Sequence, residues 1–527
     1  IQADGSFNVE YTVTVENIGG AEGTYDLFDL PSPDDDISFN SASYSSDIPT
    51  TGTLSTTIPA SPGWSLATDQ TIGAGVLHTF TVTTNVSLDL TDGIGDDVYT
   101  ECGQGSNGVP QSGQGLFNEA LLDANNDGEI DEVEDACTDI SDLMMTKDLV
   151  SVSAQKADLS YDVTYEIEVI NFAGSMGMYD LFDMPMYDGD IVINGMTYSS
   201  NVPSSGTFAA APAAAPGWML GNDIVIASMA THTYTVVVNV SMDLLAAVAV
   251  GDNDYTACGE GTGGTAGPGQ GLYNVASLDD NNDGVIDDVD DACGDLPFLV
   301  LDKTLVSTVN TSNNCYDVTY EVTVENIGGA AGIYDLVDDP IFDTDFVITA
   351  AIFTTNAAGN PGGSLPEGSS TYDLADDQTI VAGKLDTYTV TISACIDLET
   401  ASTPGNEVYD AACGTANGPT DPTTGEGLYN LATLDTNNDG TPEQEAEACD
   451  DVPYLILTKS VAGMMIQPDG SFNVVYTVTV ENIGGAVGTY DLFDLPSPDD
   501  DISFNSASYS SDIPTSGTLS TTIPASP

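Results

Sequence analysis

The sequence predicts an all-β chain built from tandem antiparallel β-sandwich modules. Apolar and polar residues alternate in recurring runs, turn-forming residues separate the runs, and the whole pattern returns at fixed spacing. In FNVEYTVTVEN, Phe7, Val9, Tyr11, Val13 and Val15 alternate with Asn8, Glu10, Thr12, Thr14 and Glu16. A period of two gives a strand one buried and one wet face. YDVTYEIEVIN (161–171) and YDVTYEVTVEN (316–326) repeat it, and a second alternating strand follows in each module as HTFTVTTNV, THTYTVVVNV and DTYTVTISA. Stretches such as NIGGAEG and PSPDDD supply the turns between strands. Trp64, Trp218 and the equivalent Tyr372 read as core aromatics.

The repeat sets the domain organisation. Residues 1–62 and 466–527 differ only at Ala3/Pro468, Glu10/Val475, Glu22/Val487 and Thr51/Ser516, so the large repeat is 466 − 1 = 465 residues. Inside it, acidic loops begin at Asp123, Asp279 and Asp435, each 156 apart. Lys147, Lys303 and Lys459 keep that spacing, as do Asn118, Asn274 and Asn430. The expected modules are 1–144 (first strand missing), 145–300, 301–456 and the start of a fourth at 457–527. Ile1 opens in the middle of a repeat and the chain stops in the middle of one, so a longer protein is expected. No Gly/Ser or Pro-rich linker separates modules at MMTKDLVS, LVLDKTLVS or LILTKSVAG, which favours a stiff rod over tethered beads.

Composition narrows the function. The chain has 527 residues, 83 acidic side chains, five lysines, no arginine and a formal charge of −78, yet is 41% hydrophobic. It has the apolar material to fold, inside a heavily charged skin. Such a surface repels phosphates, so nucleic-acid binding and attachment to anionic membranes are both disfavoured. No run of 18 apolar residues is present, so no membrane insertion is expected from a helix.

Cys102/Cys137, Cys258/Cys293 and Cys413/Cys449 form one pair per module, 35, 35 and 36 residues apart, each bracketing an acidic loop. Their recurrence, without any Cys-x-x-Cys, points to disulfides in an extracellular setting. Cys315 and Cys395 form an extra pair, standing where other modules carry Ser6, Ser160 and Ser471 or Ser87 and Ser241. A small residue at both positions implies adjacent strands, and a fourth disulfide is expected there.

The acidic loops match the twelve-residue EF-hand pattern, with oxygen ligands at positions 1, 3, 5, 7, 9 and 12 and glycine at 6. Module one supplies Asp123, Asn125, Asp127, the Glu129 carbonyl, Asp131 and Glu134. Module two supplies Asp279, Asn281, Asp283, the Val285 carbonyl, Asp287 and Asp290. Module three supplies Asp435, Asn437, Asp439, the Thr441 carbonyl and Glu443, but Ala446 takes the twelfth place, with Glu445 or Glu447 as the available substitutes. Calcium is the expected cofactor, as a clip that stabilises the folded module. A switch is not expected, because a strand precedes each loop and only a short helical turn, DEVEDAC, has room to follow. Asp34–Asp36, Asp188/Asp190, Asp343/Asp345, Asp96/Asp97 and Asp252/Asp254 are further acidic clusters, each either an added calcium site near a seam or a solvated turn, and the solvated turn is the reading adopted.

Catalysis has little to work with. His78 and His232 lie in alternating strands, Asp386 replaces them in module three, and no nucleophile is arranged with a base and its orienter. The chain is read as no enzyme. The periodic lysines and asparagines raise one covalent alternative, a lysine–asparagine isopeptide. The reading adopted is an edge-strand lysine that deters aggregation and a turn-capping asparagine.

LTKSV followed by DGSFNVVYTVTVENIGGAVGTYDLFDLP resembles a bacterial surface repeat known only as a domain of unknown function, with the pattern L-x-K, then Y-T-[VI]-x-V-x-N-x-G, then D-x-[LF]-P. The resemblance spans all three modules and implies Ig-like sandwiches in tandem on very large secreted proteins. GLYN-x-A-x-LD followed by D-A-C is similar to versions on gliding bacteria that use type IX secretion. In overall character the chain is also similar to the grappling-hook filaments of filamentous marine predatory bacteria. These resemblances imply an extracellular, cell-surface filament or stalk, rigidified by calcium and disulfides and self-associating into a multi-chain bundle. The alternative is an adhesin whose modules grip a glycan or another cell directly.

Overall fold

The structure, a computed structural model, describes residues 2, 6–88, 98–244, 254–280, 282, 284–312, 314–366, 371–396, 412–414 and 423–522. Strands make up all the regular structure among them. The second repeat shows the arrangement most fully. One sheet runs Ser205–Phe208, Ile191–Ser200, Thr231–Met242, Ser160–Asn171, Leu143–Val152, and the other runs Trp218–Ile226, Gly177–Pro185, Asn274–Asp279, Asp288–Ala292. Every pairing in both is antiparallel. The third repeat has the same strand order, and the first, among the described residues, lacks only the strand equivalent to Leu143–Val152.

The predicted alternation is what closes the two layers. Val163, Tyr165, Ile167 and Val169 of Ser160–Asn171 are fully buried against Tyr179 and Leu181 of the other sheet, within one apolar core. At about 25 cal/mol per Å² of apolar surface, each such side chain contributes roughly 1.5–3 kcal/mol. Trp64, Trp218 and Tyr372 are buried in the same place in each repeat, as expected. His78 is a core residue too, sharing a 2.8 Å hydrogen bond with the Tyr25 hydroxyl. Asp386 takes the equivalent role, accepting from Tyr334 at 2.8 Å.

All four disulfides form as paired in the sequence reading: Cys102–Cys137, Cys258–Cys293, Cys413–Cys449 and Cys315–Cys395. Cys315 and Cys395 stand directly opposite one another on neighbouring strands, in the register that pairs Ser160 with Ser241 one repeat earlier. Four disulfides suit an oxidising environment. No helix among the described residues is long and apolar enough to cross a membrane.

Three expectations are corrected. The segment after the acidic loop is a strand rather than a helical turn: Glu132–Ala136 pairs antiparallel with Asn118–Leu122, and the same hairpin recurs twice. The cause lies next door. Leu143–Val152 sits at a sheet edge, and Asp288 and Asp290 of the return strand accept its Met145 and Lys147 amides at 3.0 and 2.6 Å. In the third repeat Gln444 accepts from the Leu301 amide at 2.9 Å and donates to the Leu299 carbonyl at 2.6 Å. Edge amides held against another sheet need partners, and an extended return strand supplies them.

The second correction concerns the lysines and asparagines. Lys147 lies on an edge strand, but its side chain is fully buried and paired with the buried Asp183; Lys303 and Asp338 repeat this. Asn274 is no turn cap, because it opens a strand inside the core and donates to Asp183 Oδ2 at 3.1 Å. The third correction is that Asp34, Asp36, Asp188, Asp190, Asp343 and Asp345 are all buried, so these turns are not solvated.

The seams between repeats are pinned on both sides. Behind the connector, Ile140 N donates to the Tyr99 hydroxyl at 3.3 Å, and Asp139 Oδ1 accepts from Tyr99 and the Cys102 amide at 3.0 and 2.9 Å. Ahead of it, Phe172 N and Ser175 N of the next repeat donate to Asp142 O and Ile140 O, each at 2.9 Å. Gly174 fits there because a Cβ would lie 2.7 Å from Glu101 and 2.8 Å from Asp139. The next seam uses Tyr255, Asp295, Ile327 and Gly329 in the same way.

Candidate metal centre

Each acidic loop leaves the end of a core strand and turns back within a few residues. In the first, Asp123 Oδ1 accepts from the Asn125 and Asp127 amides at 3.2 Å and Oδ2 from Gly128 at 2.8 Å. Asn125 and Asp127 pass the turn on, each accepting an amide two residues later at 3.0 Å. Asn126 at φ 58° and Gly128 at φ 87° take the left-handed conformations that the tight path requires. Burial pushes the Asp123 carboxyl up, but amide bonds led by Gly128 outweigh it and hold it below the usual range. The backbone therefore favours a carboxylate anion where the first ligand is expected.

The third turn goes furthest. Carboxylate oxygens of Asp435, Asp439 and Glu443, at positions 1, 5 and 9, lie within 4.8 Å of one another, an arrangement that could hold a metal ion. Glu443 Oε1 accepts from Asn437 Nδ2 at 2.8 Å and Oε2 from Thr436 N at 2.7 Å. In the first turn position 9 is the shorter Asp131, whose Oδ2 is held by Ala124 N at 2.8 Å. Position 12 joins none of these turns. Glu134, Asp290 and Ala446 lie in the return strands opposite Ala120, Ala276 and Ala432. The carboxylates that gather in the third turn are those of positions 1, 5 and 9, and Ala446 lies outside that group.

The remaining positions are distributed unevenly. Asp279 accepts from Gly284 N at 2.9 Å and Asp287 from Asp280 N at 2.9 Å, while Asn281 and Asp283 lie outside the described residues. Glu129, Val285 and Thr441 follow the glycine of each turn, as position 7 requires, and Thr441 N donates to Asp439 Oδ1 at 2.8 Å. Asn126 Nδ2 donates to Asp69 Oδ1 at 2.8 Å and Asn282 Nδ2 to Asp223 Oδ1 at 2.5 Å. Each turn is thus tied to an irregular strand beside it. An all-oxygen donor set of this kind fits a hard cation such as Ca²⁺.

Asp34, Asp35 and Asp36 form a second cluster that could hold an ion. Asp34 Oδ2 accepts from the Thr100 amide at 2.9 Å and Oδ1 from Asp36 N at 3.1 Å, which anchors the disulfide loop. Burial raises the Asp34 carboxyl above its ordinary range despite those amides. Asp96, Asp97 and Asp252 lie outside the described residues, and Asp254 is exposed.

Sequence reasoning did not single out Asp29, Asp183, Asp338 and Asp494, the acid of each D-x-P. The signal was present: in TYDLFDLP, Asp29 shares the period-two face of Tyr25 and Leu27, and all three are buried.

No protein-family model and no curated protein matches the chain. Solved structures similar to it include a calcium-binding mutant of Bacteroides uniformis beta-glucuronidase 2, with a TM-score of 0.15 and 11% identity over 55% of this chain. An exo-chitosanase of Amycolatopsis orientalis gives 0.15 and 10% over 60%. The chain spans 27% and 28% of those two proteins. Likenesses this slight bear on neither fold nor function.

Proposed function

We propose that this chain is a load-bearing stretch of a long extracellular filament or stalk, made of Ig-like modules and stiffened by calcium and disulfides. It performs no catalysis in this reading. The observation that carries the proposal is the seam. The connector is hydrogen-bonded to the module behind it and to the module ahead, beside a disulfide, with no flexible segment between. Ser228 Oγ adds a direct 2.5 Å bond to Glu101 across the same joint. Repeat arrays gain stability from such neighbour contacts, and tightly bonded joints transmit force and bending.

Calcium is the metal that the all-oxygen turns suit. Bound only by the folded form, it would stabilise each module by about 2.7 kcal/mol at a concentration 100-fold above Kd. Near-copying of residues 1–62 in 466–527 favours a spacer over a direct adhesin, because a spacer needs many equal parts. Type IX secretion, self-association into a bundle and a place on a predatory appendage rest on the resemblance alone.

Electron microscopy of the native filament with and without chelator tests this reading. Straight particles that become flexible without calcium are expected. Particles equally flexible in both media would sink it.

A further inference from the structure

In the second repeat, a primary amine and a carboxamide are held on the two oxygens of one buried carboxylate. Lys147 Nζ is bonded to Asp183 Oδ1, and Asn274 Nδ2 donates to Oδ2 at 3.1 Å. Lys147 and Asp183 side chains are fully buried, and so is Asn274. The Tyr165 ring closes the pocket, its centroid 5.0 Å from Nζ. Asn274 Oδ1 is buried with no hydrogen-bond partner. The third repeat reproduces each feature: Lys303 on Asp338, Asn430 Nδ2 at 3.0 Å from Oδ2, the Tyr320 ring at 5.2 Å and a partnerless Asn430 Oδ1.

As a mere ion pair this arrangement is poor. Burying two charges is costly before their attraction is counted, and an orphaned amide carbonyl adds to that cost. Well-packed apolar residues would serve a core better. The groups present are instead those of an acyl transfer: an amine, an amide carbonyl whose oxygen has no hydrogen-bond partner, and a carboxyl between them.

We propose that Lys147 and Asn274, and likewise Lys303 and Asn430, condense into side-chain isopeptide bonds, with Asp183 and Asp338 as proton carriers. The lysine first gives a proton to the aspartate, leaving a neutral amine and a carboxylic acid. Nζ adds to the asparagine Cγ, and the acid protonates the departing nitrogen. The Cγ–Nδ2 bond breaks, the aspartate takes the extra proton from the new Nζ–Cγ amide and hands it to the freed ammonia, which leaves as ammonium, and the aspartate ends as the carboxylate it began as. No oxidant or co-reactant is required.

The pocket favours the neutral amine that the first step needs. Burial lowers the Lys147 and Lys303 amines against the opposing pull of their aspartates. The first repeat has no lysine in this sequence, and there burial pushes Asp29 up to about 7 against the Asn118 bond that lowers it. The new bond would tie the edge strand of one sheet to an inner strand of the other, linking positions 274 − 147 = 127 residues apart. This inference does not depend on the filament reading.

Intact-mass measurement of the fully reduced chain tests it. The expected mass falls short of the sequence by two ammonia molecules, and peptide mapping recovers Lys147 linked to Asn274 and Lys303 to Asn430. Asp183→Asn should restore one ammonia while the third repeat still closes. If that variant does not fold, the wild-type mass and map decide alone. A full-length mass would overturn the proposal. So would ammonia loss mapped to other asparagines, or loss of water joining lysine to aspartate.

Discussion

Glu443 has one methylene more than Asp131, and that difference brings three carboxylates together in one turn. Glu443→Gln should weaken calcium binding at the third turn by at least ~10-fold, about 1.4 kcal/mol, read by calorimetry. Glu134→Ala in the first turn, by contrast, should leave binding unchanged, because that side chain belongs to the return strand. Asp29 gives a pH test. Burial raises its pKa to about 7 from the ordinary aspartate value of 3.8, so between those values the folded module keeps a proton that the unfolded chain has released. Stability from this group is full below about pH 4 and is lost as pH rises towards 7, by up to ~4 kcal/mol at 1.36 kcal/mol per unit. Asp29→Asn should flatten that slope in denaturant melts across the same range; an unaltered slope would refute the assignment. The tight turn around Gly128, Gly284 and Gly440, with its oxygen-bearing side chains, was legible from the sequence. The fate of position 12 was not, because it depends on a neighbouring strand 143 residues away in the chain, where Asp290 meets Lys147.

Strands carried the most readable information. Alternation in FNVEYTVTVEN and its repeats located each inner strand, and the Ser/Cys substitution pattern located the register that Cys315 and Cys395 share. What alternation does not reveal is which face meets the core at a sheet edge. Lys147 therefore read as a wet edge residue, although the opposite sheet covers its face of the strand. The buried D-x-D turns were missed for a related reason: a cluster of acids looks solvated until its burial is known. The disulfide of the third repeat supplies a test at this scale. Cys315→Ser with Cys395→Ser restores the serine pair of the second repeat, and the chain-entropy model sets the loss near 4.5 kcal/mol for an 80-residue loop. A thermal melt of the double variant should show the third repeat unfolding earlier; an unshifted transition would mean that native strain cancels the gain.

Across the molecule, a charge of −78 makes divalent ions and salt part of the structure's energetics. Melting in chelator should fall well below melting in millimolar calcium. Added monovalent salt should recover only part of the difference, since screening replaces no ligands. Equal melting temperatures would argue against structural calcium. The seams carry a geometric consequence. The Asp142–Phe172 bond and its counterpart Phe298–Ile327 join neighbours by the same contacts, and the Tyr454–Ile483 bond begins a third such joint. An object assembled with one unchanging joint turns by one unchanging angle at every step, so its surface features wind around it as a screw. Side-by-side strands of that kind can mesh along their entire length only when their pitches agree, which would make the angle at a single joint the selector of which chains bundle together.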